Sequence, residues 1–157
     1  MKIINYNGDI FNSNATIIAH QCNGLGLMGS GIAKEVKERY PRVYEKYKKA
    51  IDDDLFKLGG CQVVDTDGNK TQYIANLCGQ YNCGYDNKRY TSYDAIYSAL
   101  EKLADYCVRK GIKSVAFPYK MSSVRGGASW DVIYAMIMDV FKNNDNITIE
   151  IWKYDKG

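Results

Sequence analysis

His20-Gln21-Cys22-Asn23-Gly24-Leu25-Gly26-Leu27-Met28-Gly29-Ser30-Gly31-Ile32-Ala33 is the stretch whose reading decides the fold. An apolar run, Ala15 to Ala19, leads into it, and a helical pattern, Ile32 to Tyr40, leads out. These residues describe a buried strand that ends in a glycine-rich turn and opens a helix. Glycines let a backbone approach a ligand closely, and a helix start offers unpaired N–H groups and a positive dipole end. The stretch is therefore a phosphate site in outline. Gly24, Gly26 and Gly29 also match G-x-G-x-x-G, a pattern that is weak without its structural context.

Working outward, Met1 to Asn5 reads as a short strand and Tyr6-Asn7-Gly8-Asp9 as a turn. Asp9 suits a local turn cap. Ala15 to Gln21 is apolar enough for a strand buried on both faces. Ser30 is a suitable N-cap for the helix that follows. Pro41 ends that helix and starts the next, in which Val43, Tyr44, Tyr47 and Ile51 recur at helical spacing. Cys61–Asp65 and Lys70–Leu77 read as a hairpin around Asp67-Gly68. Cys78 to Tyr90 is a polar loop of functional length. Thr91-Ser92-Tyr93-Asp94 carries a capping-box signature for a helix that stops at Gly111. Ser114 to Phe117 is a buried strand, Pro118 to Ala128 a second glycine-bearing loop, and Ser129 the cap of a last helix. Ile147, Ile149 and Ile151 alternate with polar residues and Trp152 in a final strand.

Strands alternating with helices imply a three-layer α/β domain, and such sheets bind ligands outside the carboxyl ends of their strands. Two glycine-bearing loops there would make a diphosphate cradle. A redox-dinucleotide fold fails on context. It needs the glycine turn after the first strand and an acidic residue about 20 positions on, at the end of the next strand, whereas Tyr44 to Lys49 is still helical.

At 157 residues, 46% hydrophobic and 25% charged, residues 1–157 suit one globular domain. No apolar run approaches the roughly 18 residues that span a bilayer, and the N-terminus is too quickly polar for a signal peptide. A cytoplasmic, monomeric protein without a membrane partner is expected. The five cysteines show no C-x-x-C pair, so neither a metal nor another cofactor is expected. A net charge of +3 permits a nucleotide or nucleic-acid partner without demanding one.

Gly8-Asp9-Ile10-Phe11, His20-Gln21-Cys22-Asn23, Met28-Gly29-Ser30-Gly31-Ile32-Ala33 and Asn76-Leu77-Cys78-Gly79-Gln80 together resemble a macrodomain over essentially the whole chain. Within that family they resemble the bacterial and phage branch of ADP-ribose-1″-phosphate phosphatases and terminal ADP-ribose protein glycohydrolases. The resemblance implies a mixed central sheet between helices, with ADP-ribose or ADP-ribose-1″-phosphate as ligand. ADP-ribosylated protein or nucleic acid would be the partner. It places Asp9 on the adenine amine with Ile10 beside the ring. Gly29, Ser30, Gly31 and Ile32 would hold the diphosphate and distal ribose, with Asn23 near the ribose hydroxyls. Ser122, Ser123, Val124, Arg125, Gly126 and Gly127 would form the second phosphate loop, and Trp152 would flank the adenine. For Trp152 and Arg125 the alternatives are edge packing and an ordinary loop arginine.

Catalysis is where this chain departs from the resemblance. The glycohydrolases carry a nucleophilic lysine in the segment matching Leu77-Cys78-Gly79, where none stands, and an aspartate at the position of Gly126. Lys88 and Lys120 could in principle reach in, but both read as solvated side chains. The phosphatase reading rests on His20, the single histidine, as general acid or organiser of a terminal phosphate, with Asn23 beside it. The alternative is a buried, hydrogen-bonded histidine. Two classes therefore stay open: a hydrolase of ADP-ribose-1″-phosphate or an ADP-ribosyl link, and a non-catalytic ADP-ribose reader or sponge.

Overall fold

The computed structural model describes residues 1–84, 86 and 88–154. The strands are β1 (Lys2–Asn7), β2 (Ile17–Asn23), β3 (Cys61–Asp65), β4 (Tyr73–Gln80), β5 (Ser114–Pro118) and β6 (Thr148–Lys153). The helices are α1 (Gly31–Arg39), α2 (Pro41–Asp52), α3 (Tyr93–Lys110) and α4 (Trp130–Phe141), with one 3-10 turn at Ile10–Asn12. One sheet runs in the order β1-β6-β5-β2-β4-β3, parallel except where β3 pairs antiparallel with β4.

Alternation along the strands makes two cores. Ile17, Ala19, Ala75, Leu77, Val115 and Phe117 pack under α3 and α4. Ile18, Cys22, Ile74, Cys78 and Ala116 pack under α1 and α2 through Val36, Val43 and Tyr47. Both faces of the sheet are thus covered, which is the condition for a largely parallel sheet. The mixed, three-layer α/β architecture expected from the sequence is the one present.

Several boundaries differ, each for a physical reason. The hairpin strand does not end at Leu77. Cys78, Gly79 and Gln80 continue β4, because β2 stays paired with it through Cys22↔Cys78 and Asn23↔Gln80, across a bulge. Only Tyr81 onward is loop, and Tyr85 and Asn87 of that expected loop lie outside the described residues. β2 likewise runs past Gln21 to Asn23, so the glycine turn begins at Gly24. Ser92, not Thr91, caps α3: its hydroxyl accepts from Ala95 N at 3.2 Å. Ser30 and Ser129 stand at the N-cap positions of α1 and α4 with extended backbones, but neither side chain makes a capping bond. β1 runs on to Asn7, held in register with Lys153 of β6.

Gly79 sits in a central strand despite its low strand propensity because a β-carbon there would collide with Gln21 Oε1 and approach Ile96 Cβ to 3.1 Å. Gly79→Ala is expected to lower stability by about 1–3 kcal/mol through overpacking. Urea denaturation at pH 7 measures it, and an unchanged midpoint would contradict this packing.

Candidate functional site

Five parallel strands deliver their carboxyl ends to one edge of the sheet, and β2 stands between β5 and β4. A cleft of about 680 Å³ opens there. Its first wall is the loop from Gly24 to Ser30, shaped by the side chain of Asn23. Asn23 Oδ1 accepts from Leu25 N at 3.0 Å and Leu27 N at 3.2 Å, and Nδ2 donates to Leu27 O at 2.8 Å. The buried Tyr47 hydroxyl donates to Asn23 O at 2.6 Å and lies 3.0 Å from Oδ1. Asn23 therefore ties its own loop to α2, with every polar side-chain atom engaged. A β-carbon on Gly29 or Gly31 would meet nothing within 4 Å, and Gly31 has φ +60°. These two glycines open directly onto the cleft at the start of α1, where backbone N–H groups lack helical partners.

The second wall is the loop from Tyr119 to Ala128. Lys120 and Ser122 adopt left-handed conformations, φ 63° and 70°, which side-chain-bearing residues hold only when their surroundings enforce it. A neutral polar network does so here. Ser122 Oγ donates to Gln21 Oε1 at 2.6 Å, and Gln21 Nε2 reaches Gln80 Oε1 at 2.6 Å and Thr91 Oγ1 at 2.9 Å. Thr91 Oγ1 donates to Ser122 O at 3.1 Å. Gly126 lies within this network: Tyr90 N and Thr91 N both donate to its carbonyl. A β-carbon there would collide with Thr91 Oγ1 and sit 2.9 Å from Gln21 Nε2.

His20 lines the cleft floor at 2% exposure, its Nε2 2.7 Å from Asn76 Oδ1. Burial drives its pKa from 6.5 down to about 4, opposed only in part by the Asn76 hydrogen bond. The ring is neutral at pH 7. Burial pushes the Cys22 thiol well up, and those of Cys78 and Cys61 up to about 11 and 12. A thiol needs to ionise to act as a nucleophile, so Cys22 and Cys78 offer none.

Of the residues expected at the site, His20, Asn23, Gly29, Ser30, Gly31, Ile32, Ser122, Val124, Arg125 and Gly126 line the cleft. Ser123 and Gly127 belong to the second loop but not to its lining, and Gly127 packs against Lys88 O. Asp9, Ile10 and Trp152 stand outside it as well. Asp9 Oδ1 accepts from Phe11 N at 2.9 Å, and Oδ2 lies 3.7 Å from Arg39. Ile10 is 5% exposed and part of the core under α1 and α2. Trp152 is stacked on Tyr6 at 4.5 Å, with its N–H donating to Glu150. Lys88 is exposed and paired with Asp86 at 3.6 Å.

The sequence reading missed Lys37, Tyr44, Tyr119, Gln21 and Gln80, all in the lining, and set Lys120 aside. Lys37 was legible in principle, since it follows Ala33 by one helical turn. Its ammonium lies 4.3 Å from the Tyr44 ring centre. Lys37, Lys120 and Arg125 give the cleft three cations, and its lining contains no carboxylate among the described residues.

A parallel-stranded sheet with an open glycine cradle, a second loop facing it and a cationic lining is the geometry of one known family, and residues 19–137 match the Macro domain model. The chain is a macrodomain. A phage T4 protein described as an uncharacterized 17.5 kDa protein in the tk-vs intergenic region is 28% identical over 87% of this chain and 86% of its own. A Mycobacterium tuberculosis protein named DNA ADP-ribosyl glycohydrolase is 28% identical over 96% of this chain, which spans only 42% of that protein. The solved macrodomain of M. tuberculosis DarG superposes with a TM-score of 0.85 at 24% identity, covering 96% of each chain. Thermosipho africanus DarTG in complex with ADP-ribose superposes with a TM-score of 0.83 at 19% identity, over 99% of this chain and 42% of that one.

Two results are expected of the macrodomain. Because the folded pKa of His20 lies below its unfolded value, the unfolded chain binds the extra proton as pH falls below 6.5. Stability present above pH 6.5 is therefore lost progressively toward pH 4, by on the order of 3 kcal/mol. Denaturant titrations across that range should show the loss in the wild type and not in His20→Gln. Gly29→Ala should leave the urea midpoint unchanged, since its methyl group meets only open space. It should also weaken ADP-ribose at least about tenfold, or roughly 1.4 kcal/mol, in calorimetry.

Proposed function

We propose that this macrodomain binds ADP-ribose, free or attached to a macromolecule, and hydrolyses the ADP-ribosyl bond. The observation that carries the reading is the open Gly29–Gly31 cradle at the start of α1, facing Lys37, Lys120 and Arg125 in a lining without a carboxylate. Helix N–H groups and cations together favour a doubly charged diphosphate. The T. africanus complex with ADP-ribose and the relatives named DNA ADP-ribosyl glycohydrolase support the ligand and the bond. ADP-ribosylated nucleic acid is accordingly the substrate to test first, with ADP-ribosylated protein second. In this reading the diphosphate bridges the two loops. Asp9 takes the adenine amine on its Oδ2, whose pairing with Arg39 is long at 3.7 Å.

Cleavage of an ADP-ribosyl bond adds water across the bond between the anomeric carbon and the acceptor atom. The site favours this reaction over removal of a 1″-phosphate. A neutral, buried His20 neither clamps a phosphate as a cation nor serves as a general acid near pH 7. The missing carboxylate supports a second reading, a holder of ADP-ribose without turnover, because water then lacks an anionic base.

The deciding experiment is calorimetry with ADP-ribose against AMP. The same protein is then incubated with an ADP-ribosylated single-stranded DNA, an ADP-ribosylated protein and ADP-ribose-1″-phosphate. Tight ADP-ribose binding with release of ADP-ribose from one of the first two is expected. Binding without release leaves the holder, release of phosphate restores the phosphatase, and no binding overturns the ligand assignment.

A further inference from the structure

His20 Nδ1 is buried and has no hydrogen-bond partner in the protein, and a chain of amides determines what that atom is. Gln62 on β3 donates its Nε2 to the main-chain carbonyl of Lys46 at 3.2 Å. A carbonyl only accepts, so the amide of Gln62 has one orientation, with Oε1 turned inward. Asn76 Nδ2 donates to that Oε1 at 3.0 Å. Asn76 Oδ1 therefore faces His20 Nε2 at 2.7 Å and requires a proton on it. Cys22 Sγ, 3.5 Å from both atoms, donates to the same Oδ1. The imidazole is thus fixed as its Nε2–H tautomer by a relay that begins on the far side of β4 and contains no charged group. Nδ1 is left as a bare acceptor.

We propose that His20 is a specificity-determining residue whose Nδ1 accepts a hydrogen bond from a ribose hydroxyl of the ligand, and that Asn76 and Gln62 are positioning residues that keep Nδ1 unprotonated. His20 is among the residues that line the cleft, so a ligand seated there brings its hydroxyl donors to this ring. A buried acceptor without a donor is destabilising, and a hydroxyl supplied by the ligand relieves it. A phosphate oxygen cannot, since it too is an acceptor. The site is thereby divided by chemistry: N–H groups and cations in the two loops for the diphosphate, a lone pair on the floor for a sugar. This assignment rests on the reading that the cleft holds ADP-ribose.

The chain has one histidine, so long-range proton–nitrogen correlation spectra of protein labelled with ¹⁵N-histidine at pH 7 report this ring alone. The free protein should show a protonated Nε2 and a bare Nδ1. ADP-ribose should move the Nδ1 resonance upfield, toward a hydrogen-bonded nitrogen, and inorganic pyrophosphate should leave it in place. In Gln62→Leu, a change outside the cleft, the two tautomers should exchange, averaging the nitrogen signals and weakening ADP-ribose two- to fivefold. A proton on Nδ1 in the free wild-type protein would overturn the relay, whatever becomes of the variant. An unmoved Nδ1 in a sample that calorimetry shows to be loaded with ADP-ribose would overturn the hydroxyl contact alone. Failure of ADP-ribose to bind at all would remove the functional reading and the contact together, while the free spectrum still decides the tautomer.

Discussion

The cleft depends on β2 remaining paired with β4 until its chain turns, after its pairing with β5 has ended at Ile18. Pairing with β4 carries Gln21, Cys22 and Asn23 as strand residues to the very edge of the sheet, so their side chains take fixed directions. Gln21 and Asn23, two residues apart, would share a face, but the bulge after Cys22 breaks the alternation and Asn23 meets Tyr47 of α2. Gln21 then spends its amide on the side chains of Gln80, Thr91 and Ser122, and Asn23 on the main chain of the first loop. Had the strand ended at Ala19, as many strands before glycine turns do, neither amide would have a rigid base. The cradle at α1 would then have to be ordered by the ligand, at its expense in conformational entropy.

A second theme is how sparing the centre is with charge. Cations lie on the rim in Lys37, Lys120 and Arg125, while the floor is built from amides, hydroxyls, thiols and a neutral imidazole. In a low-dielectric interior, unpaired charge is costly, and a satisfied neutral network is stable. An anionic ligand therefore meets positive potential on approach and oriented dipoles on arrival. No buried carboxylate among the described residues of the lining repels it.

Much of this was legible in the sequence. The apolar run Ala15–Ala19, the alternation in Ile147–Ile151, the Asp67-Gly68 turn and the stop at Gly111 are local signals, and each marks the element it suggests. The ends of β2 and β4 were not legible, because Cys22, Gly79 and Gln80 are in strands only through their partners across the sheet, and propensity cannot see those. The caps failed in a related way: Ser30 and Ser129 have the right residue type and backbone, but their hydroxyls make no bond to the helix. At the site, glycines and cations could be read from composition and spacing. The roles of Gln21, Gln62, Asn76 and Gln80 could not, since amides carry no sequence signature and these four meet only after the sheet is assembled.

The crowding around Gly126 has a consequence for how this protein can change over generations. An acid at that position is one codon change away from glycine, yet its first side-chain carbon would already collide with Thr91. The gain of such an acid therefore has to wait for a smaller residue at 91 and for a shift of the Ser122 carbonyl, which would lie 2.5 Å from that carbon, and the change at 91 would loosen the hold of Thr91 on Gln21 and Ser122. The two steps form a valley: the first is harmful alone and the second is forbidden alone. Descendants of this chain are thus channelled toward varying the rim rather than toward re-equipping the floor.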